Sequence, residues 1–215
     1  MKCFVITIMD NQKSLAAARR CMNSAGHFGY NVEEFPAFTP QNCNIREKYK
    51  EEGLSIEGFR EPYSRLDNCL SAFMSHYTLW KMCRDTKEEL MIFEHDAVMI
   101  DRVPFVMNYK GVISLGKPSY GKYNTPSILG VNPLTSKPYF PGAHAYRIKP
   151  LGAEALINVA TLDAMPTDVF IHRDRFPFLE EYYPWPCDAQ DWFTTIQNET
   201  GCIAKHNYND KYEII

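Results

Sequence analysis

No pair of cysteines stands in a CxxC spacing. The seven are Cys3, Cys21, Cys43, Cys69, Cys83, Cys187 and Cys202, odd in number and scattered, which excludes a zinc-knuckle pattern and reads as reduced thiols packed as small hydrophobes. A glycine-rich phosphate loop is also missing. The turn after the first apolar run is Met9-Asp10-Asn11-Gln12-Lys13, which disfavours a P-loop or dinucleotide-binding turn, because both need glycine to bring backbone up to phosphate. No apolar run approaches the length of a membrane span, and the opening run from Met1 to Ile8 is too short for a secretory signal core. The expectation is a cytoplasmic protein without a transmembrane segment. Excess positive charge is lacking too, and a formal net charge of -3 argues against nucleic acid as a partner. With no repeat, low-complexity tract or linker, the 215 residues read as one domain able to bury a sizeable core.

What is present centres on Leu90 to Met99, Leu-Met-Ile-Phe-Glu-His-Asp-Ala-Val-Met. Consecutive apolar residues suit a strand covered on both faces, and this one runs into Glu94, His95 and Asp96. Carboxylates at the end of a core strand cost desolvation unless a divalent metal or a basic ligand meets them. Before it, Cys3 to Ile8 reads as a strand, Ser14 as the cap of a helix through Met22, and Asn31 to Phe38 as a second strand. That is a βαβ unit, which binds ligands at the carboxyl edge of its sheet. Arg19 and Arg20 on the helix can reach a phosphate. Arg46 to Glu52 reads as a short exposed helix. Leu66, Cys69, Leu70, Phe73, Tyr77, Trp80 and Cys83 recur at helical spacing, which predicts a core helix from Ser64 to Arg84 with Ser75 off its apolar stripe and His76 at the edge.

Asp101 to Asn108 reads as a short helix or turn, and Gly111 to Leu115 as a strand. Gly116 to Pro138 reads as a long loop that shapes a binding region. Tyr139 to Ile148 is strand-like, and Pro150 opens an amphipathic helix. A short helix capped by Asp188 runs to Gln197, with a last strand at Gly201 to Ala204. The chain is 13% aromatic, and its 13 Tyr and 14 Pro gather in the second half.

Several of these segments together resemble glycosyltransferase family 25, the lipopolysaccharide-biosynthesis and collagen galactosyltransferase-like group. Ser75-His76 and Leu79-Trp80, within Asn68 to Trp80, resemble its Ser-His plus Leu-Trp helix. Met91 to Ala97 resembles its acidic strand end, and Pro141 to Ile148 is similar to its Gly-Thr-His-Ala-Tyr strand. Pro166-Thr167-Asp168 resembles its Pro-Val-Asp, and the opening strand and Arg19-Arg20 agree as well.

The resemblance implies a GT-A type fold: a Rossmann-like mixed α/β sheet flanked by helices in a single compact domain. Residues 1–100 are then the nucleotide-sugar half and 101–215 the acceptor half. It implies transfer of a hexose, galactose or glucose, from a UDP-sugar to a hydroxyl of a glycan, lipid-linked sugar or protein, with inversion. The implied cofactor is a divalent metal, Mn or Mg, held by Asp96 and Glu94, with His206 as a third ligand by analogy with other GT-A enzymes. Glu94 serves alternatively as a ribose-binding or loop-holding residue. Thr7, Ile8, Arg19, Ser75, His76, His95 and His144 fall on the donor side. His95 departs from the family's aspartate, and imidazole suits Mn better than Mg. The base that inversion needs is Asp168, with Asp188 and Asp191 as rivals; Asp168 reads equally as a helix cap. The alternative is a nucleotide-sugar-binding protein without chemistry. A phosphohydrolase ranks last, since a two-metal site needs more than one acidic cluster.

Overall fold

In the computed structural model the first apolar run is β1 (Lys2–Thr7), followed by α1 (Gln12–His27) and β2 (Val32–Pro36). The structure describes residues 1–60, 64–190, 193–198 and 213–215. β1 and β2 pair in parallel from Cys3 opposite Val32 to Thr7 opposite Pro36, so the expected βαβ unit is present. Next come α2 (Ile45–Glu51), α3 (Leu66–Thr86), β3 (Leu90–Glu94), β4 (Ala97–Met99), β5 (Val112–Ser114) and β6 (Gly130–Pro133). The chain continues through β7 (Ala145–Ile148), α4 (Pro150–Asp163), α5 (Thr167–Phe170), β8 (Glu180–Tyr183), β9 (Cys187–Ala189), β10 (Phe193–Thr194) and β11 (Glu213–Ile214).

Seven strands form one mixed sheet in the order β2-β1-β3-β7-β5-β8-β6. Successive side chains of a strand point to opposite faces, and here both faces are covered. Phe4, Ile6, Leu90 and Ile92 pack with α3 and α4, through Leu70, Phe73, Trp80 and Leu156. Cys3, Val5, Met91 and Phe93 pack on the other face with Ala18, Cys21 and Ala25 of α1. This explains why β1 and β3 are apolar without alternation. The result is a single compact α/β domain, consistent with a Rossmann-like fold. Among the described residues no helix is long and apolar enough to cross a membrane.

Several local expectations are corrected. Asn11, not Ser14, caps α1, accepting from the Lys13 and Ser14 N–H groups; Ser14 is buried inside the first turn. The cap position of α3 is Arg65, without a side-chain cap bond. Ser75 is fully buried rather than off the packed face, its hydroxyl donating to Ser71 O at 2.9 Å and accepting from Phe38 N at 3.0 Å. Residues 101–108 form no helix, because the Pro104 and Phe105 carbonyls accept from the buried Arg147 guanidinium at 2.8 and 3.1 Å. The loop from Gly116 contributes an edge strand, β6, paired antiparallel with β8. Asp188 caps no helix: β9 pairs antiparallel with β4, and the Asp188 carboxylate accepts from its neighbour Ala189 N. The expected strand at Gly201 to Ala204 lies outside the described residues.

Candidate functional site

The acidic triplet sits at a corner. β3 stops at Glu94, His95 and Asp96 make a turn, and β4 leaves for a separate two-stranded sheet with β9. β1 has β2 on one side and β3 on the other, so the chain reverses its direction of build-out between β1 and β3, where Ile6 pairs with Glu94. Open α/β sheets bind ligands outside the carboxyl ends of their strands at such a point. A cleft of about 1710 Å³ opens there, lined by Ile8, His76, Glu94, His95, Asp96, Asp168 and Asp188 among others. A smaller hollow of about 460 Å³ beside α2 is less suited to chemistry, since its Arg46 is spent on Asp67 at 2.9 Å.

Glu94 is aimed by a chain of buried groups. The Trp80 indole donates to the Tyr146 hydroxyl at 2.8 Å; that hydroxyl lies 2.9 Å from His76 Nδ1, and His76 Nε2 lies 3.0 Å from Glu94 Oε1. A neutral imidazole facing a carboxylate carries its proton on Nε2, which leaves Nδ1 to accept from the Tyr146 hydroxyl while the indole N–H donates to that same hydroxyl. Burial pushes His76 down to about 3, so the His76–Glu94 contact is a neutral hydrogen bond rather than an ion pair. Replacing Tyr146 by Phe leaves the Trp80 N–H and His76 Nδ1 without partners inside the core. The expected loss is about 2–4 kcal/mol, read as a lower urea midpoint.

His95 is held by Ser14, whose Oγ accepts from Ile8 N at 2.9 Å and lies 2.9 Å from His95 Nδ1. Its ring leans on Phe193, with centroids 5.3 Å apart, and burial lowers its pKa. Asp96 is 9% exposed, and its Oδ1 is buried with no hydrogen-bond partner. Its backbone carbonyl accepts from Gln190 N at 2.9 Å, and Arg20 Nη2 donates to Gln190 O at 2.7 Å, yet among the described residues no ion pair reaches the carboxylate. His144 is also buried, and neither ring nitrogen makes a well-formed hydrogen bond among the described residues. Burial lowers its pKa, while Asp96 and Asp188 pull the other way. Gly116 makes room for that ring, since a Cβ there would stand 2.4 Å from His144 Nε2.

Asp168 approaches from α5. Its Oδ2 accepts from the Tyr120 hydroxyl at 2.5 Å and its Oδ1 from Val169 N at 2.9 Å; the helix cap position is Pro166. Asp168 is thus braced by a phenol rather than capping α5. Cys3, Cys21, Cys43, Cys83 and Cys187 are free thiols. Burial pushes Cys21 up to about 12 and Cys3 up to about 11, which unsuits both as nucleophiles.

The structure therefore brings together Ile8, Ser75, His76, Glu94, His95, Asp96, Asp168 and Asp188 around one cleft. Others fall elsewhere. Thr7 is buried with its hydroxyl donating to Val5 O at 3.1 Å, His144 is buried and does not line the cleft, and Arg19 is exposed. Arg20, one position on, is the arginine beside the acidic turn. Asp191 and His206 lie outside the described residues. Among the described residues no three His, Cys, Asp or Glu side chains form a group that could hold a metal. No family model matches this chain, and no curated protein matches it. Sequence reasoning missed Ser14 and Tyr120 as supports for His95 and Asp168. Both contacts join distant segments, so no local pattern could have exposed them.

The buried Asp96 Oδ1 is the test of whether a metal fits. A hard cation such as Mg binds through one or two carboxylates and completes its shell with water and substrate phosphates, without an all-protein cage. An orphan carboxylate oxygen in a cleft that Asp188 also lines fits that pattern.

Proposed function

We infer that this protein is a GT-A type inverting hexosyltransferase resembling glycosyltransferase family 25, using a UDP-hexose donor and a hydroxyl acceptor on a glycan, lipid-linked sugar or protein. The observation that carries the reading is the partnerless, buried Asp96 oxygen at the switch point of the sheet, inside a cleft large enough for donor and acceptor together. Asp96, with Asp188, would hold Mn or Mg. Bound there, the cation supplies positive charge against the donor diphosphate.

This chain's own residues supply the rest. Glu94, oriented through His76, Tyr146 and Trp80, presents its carboxylate to a donor hydroxyl such as those of the ribose. Lys117 and Lys122 line the same cleft and offer charge to an anionic donor. Asp168, held by Tyr120, takes the proton of the acceptor hydroxyl as it attacks. Asp168 and Asp96 come from different elements, α5 and the β3–β4 turn, so base and leaving group are served by separate parts of the chain.

A second reading has an observation of its own. His95 occupies the middle of the acidic turn with Nδ1 engaged by Ser14, and it favours a protein that binds nucleotide sugars without turning them over. Calorimetric titration with UDP and Mn, then a UDP-galactose and UDP-glucose transfer assay with the product anomer read by NMR, separates the two. Binding with turnover to the inverted anomer is the expected result. Binding without turnover selects the second reading, and no binding overturns both.

A further inference from the structure

The cleft holds a cation that the chemistry above does not use. Lys137 is only 8% exposed, and it lines the cleft. Its Nζ stands 4.8 Å from the ring centroid of Tyr120 and 5.3 Å from that of Tyr139. Among the described residues it makes no ion pair and no side-chain hydrogen bond. Ring faces attract an ammonium but recover only part of its hydration. A lysine covered along its stem, whose ammonium faces the cleft with no side-chain partner among the described residues, offers that charge to an anion entering the cleft.

The ammonium is also fixed in place. Glu181 of β8 is fully buried, and its Oε1 accepts from Thr135 N and Ser136 N, each at 2.7 Å, and from Thr135 Oγ1 at 3.2 Å. Its Oε2 accepts from the Trp185 indole at 3.2 Å. Those bonds pin the two residues before Lys137, and Arg173 N pins the one after, donating to Pro138 O at 2.7 Å. On the opposite side Gly121, at φ +68, comes so close that a Cβ there would lie 2.7 Å from Lys137 Nζ. Backbone on both sides holds the ammonium at the cleft wall. Tyr120 meanwhile donates to Asp168, so the ring beneath the ammonium is the ring that braces the general base proposed above.

We propose that Lys137 anchors an anion subsite in the acceptor region of the cleft, taking a carboxylate or phosphate group carried on a sugar, with Tyr120 and Tyr139 holding the ammonium in place. The word acceptor rests on the glycosyl-transfer reading; the anion subsite itself rests on the geometry alone. A uronic acid and a sugar phosphate share the chemistry that Lys137 recognises, and the test separates them.

The full chain is titrated calorimetrically with glucuronate, glucose 6-phosphate, glucose and UDP, as wild type, Lys137→Met and Lys137→Arg. Met keeps an apolar stem over the rings and is easier to bury than an ammonium, so that variant is expected to melt at or above the wild-type temperature. The expected result is that wild type prefers one of the two anionic sugars over glucose by at least about tenfold. Lys137→Met erases the preference, Lys137→Arg restores part of it, and UDP affinity stays unchanged in both. Wild type that shows no preference for an anionic sugar overturns the proposal, as does a preference that survives in Lys137→Met. A parallel fall in UDP affinity overturns the acceptor assignment and gives Lys137 to the donor diphosphate. Wild type that binds an anionic sugar but not UDP sustains the subsite and overturns the donor reading instead.

Discussion

Asp96→Asn is expected to lower UDP-hexose turnover by at least ~100-fold, the scale on which a lost electrostatic stabiliser of a leaving group acts, while the variant melts at the wild-type temperature or above it. The two halves of this expectation have one cause. In the native fold the Asp96 carboxylate is 9% exposed, its Oδ1 has no hydrogen-bond partner, and Arg20 passes nearby without pairing. A carboxylate with one oxygen buried and unpartnered carries a desolvation cost, and a neutral amide of the same shape lowers that cost. An aspartate kept to brace the β3–β4 turn behaves in the opposite way, because losing a satisfied carboxylate costs about 1–3 kcal/mol. Paired measurements of transfer rate and melting temperature therefore distinguish a functional carboxylate from a structural one. Unchanged turnover removes Asp96 from the chemistry, and a lowered melting temperature assigns it to the fold. Loss of turnover with stability retained is the signature expected of a residue strained for function.

Much of the frame was legible because burial on both faces writes itself into consecutive apolar residues. Leu90 to Phe93 divide alternately between the two cores, and the helical spacing of Leu70, Phe73, Tyr77 and Trp80 located α3 to within two residues at each end. The βαβ unit followed from the same logic. What could not be read was every arrangement that depends on a partner far along the chain. Ser14 carries the residue type of a helix cap, but Asn11 is three positions earlier and holds the cap bonds, which releases Ser14 to meet His95 across 81 residues. Asp188 also looks like a cap, yet β4 was available as a pairing strand, and pairing fixed its backbone as extended. The acidic triplet was recognised as a strand end from its composition alone. That it is a corner between two sheets, with one carboxylate hydrogen-bonded and the other holding a buried oxygen without a partner, follows only from which neighbours arrive around it. Lys137 shows the limit most clearly: an isolated lysine in a loop rich in Pro, Ser and Tyr carries no local signal of burial.

The folded state is expected to lose stability as pH falls from about 6.5 toward about 3, and His76 is expected to account for about one proton of that dependence. In the unfolded chain its imidazole protonates near the ordinary histidine value. In the native state burial holds it neutral down to about 3. Below pH 6.5 the unfolded chain therefore binds a proton that the native chain refuses, which shifts the balance toward unfolding. Its contribution is nil above that range and reaches on the order of 5 kcal/mol once the interval is crossed. His95 and His144, both also lowered by burial, act in the same direction. The variant His76→Gln isolates the first of the three. Glutamine offers one acceptor for the Tyr146 hydroxyl and one donor for Glu94, so it keeps the polarity of the chain while removing its titration. Urea unfolding at a series of pH values from about 6 to 5, above most carboxylates, should show a slope shallower than wild type by about 1.4 kcal/mol per pH unit. A slope equal to that of wild type means that His76 is charged in the native state. The Tyr146–His76 hydrogen bond alone would then reverse, Nδ1 donating to the hydroxyl, and Glu94 would be held by an ion pair instead of a neutral hydrogen bond.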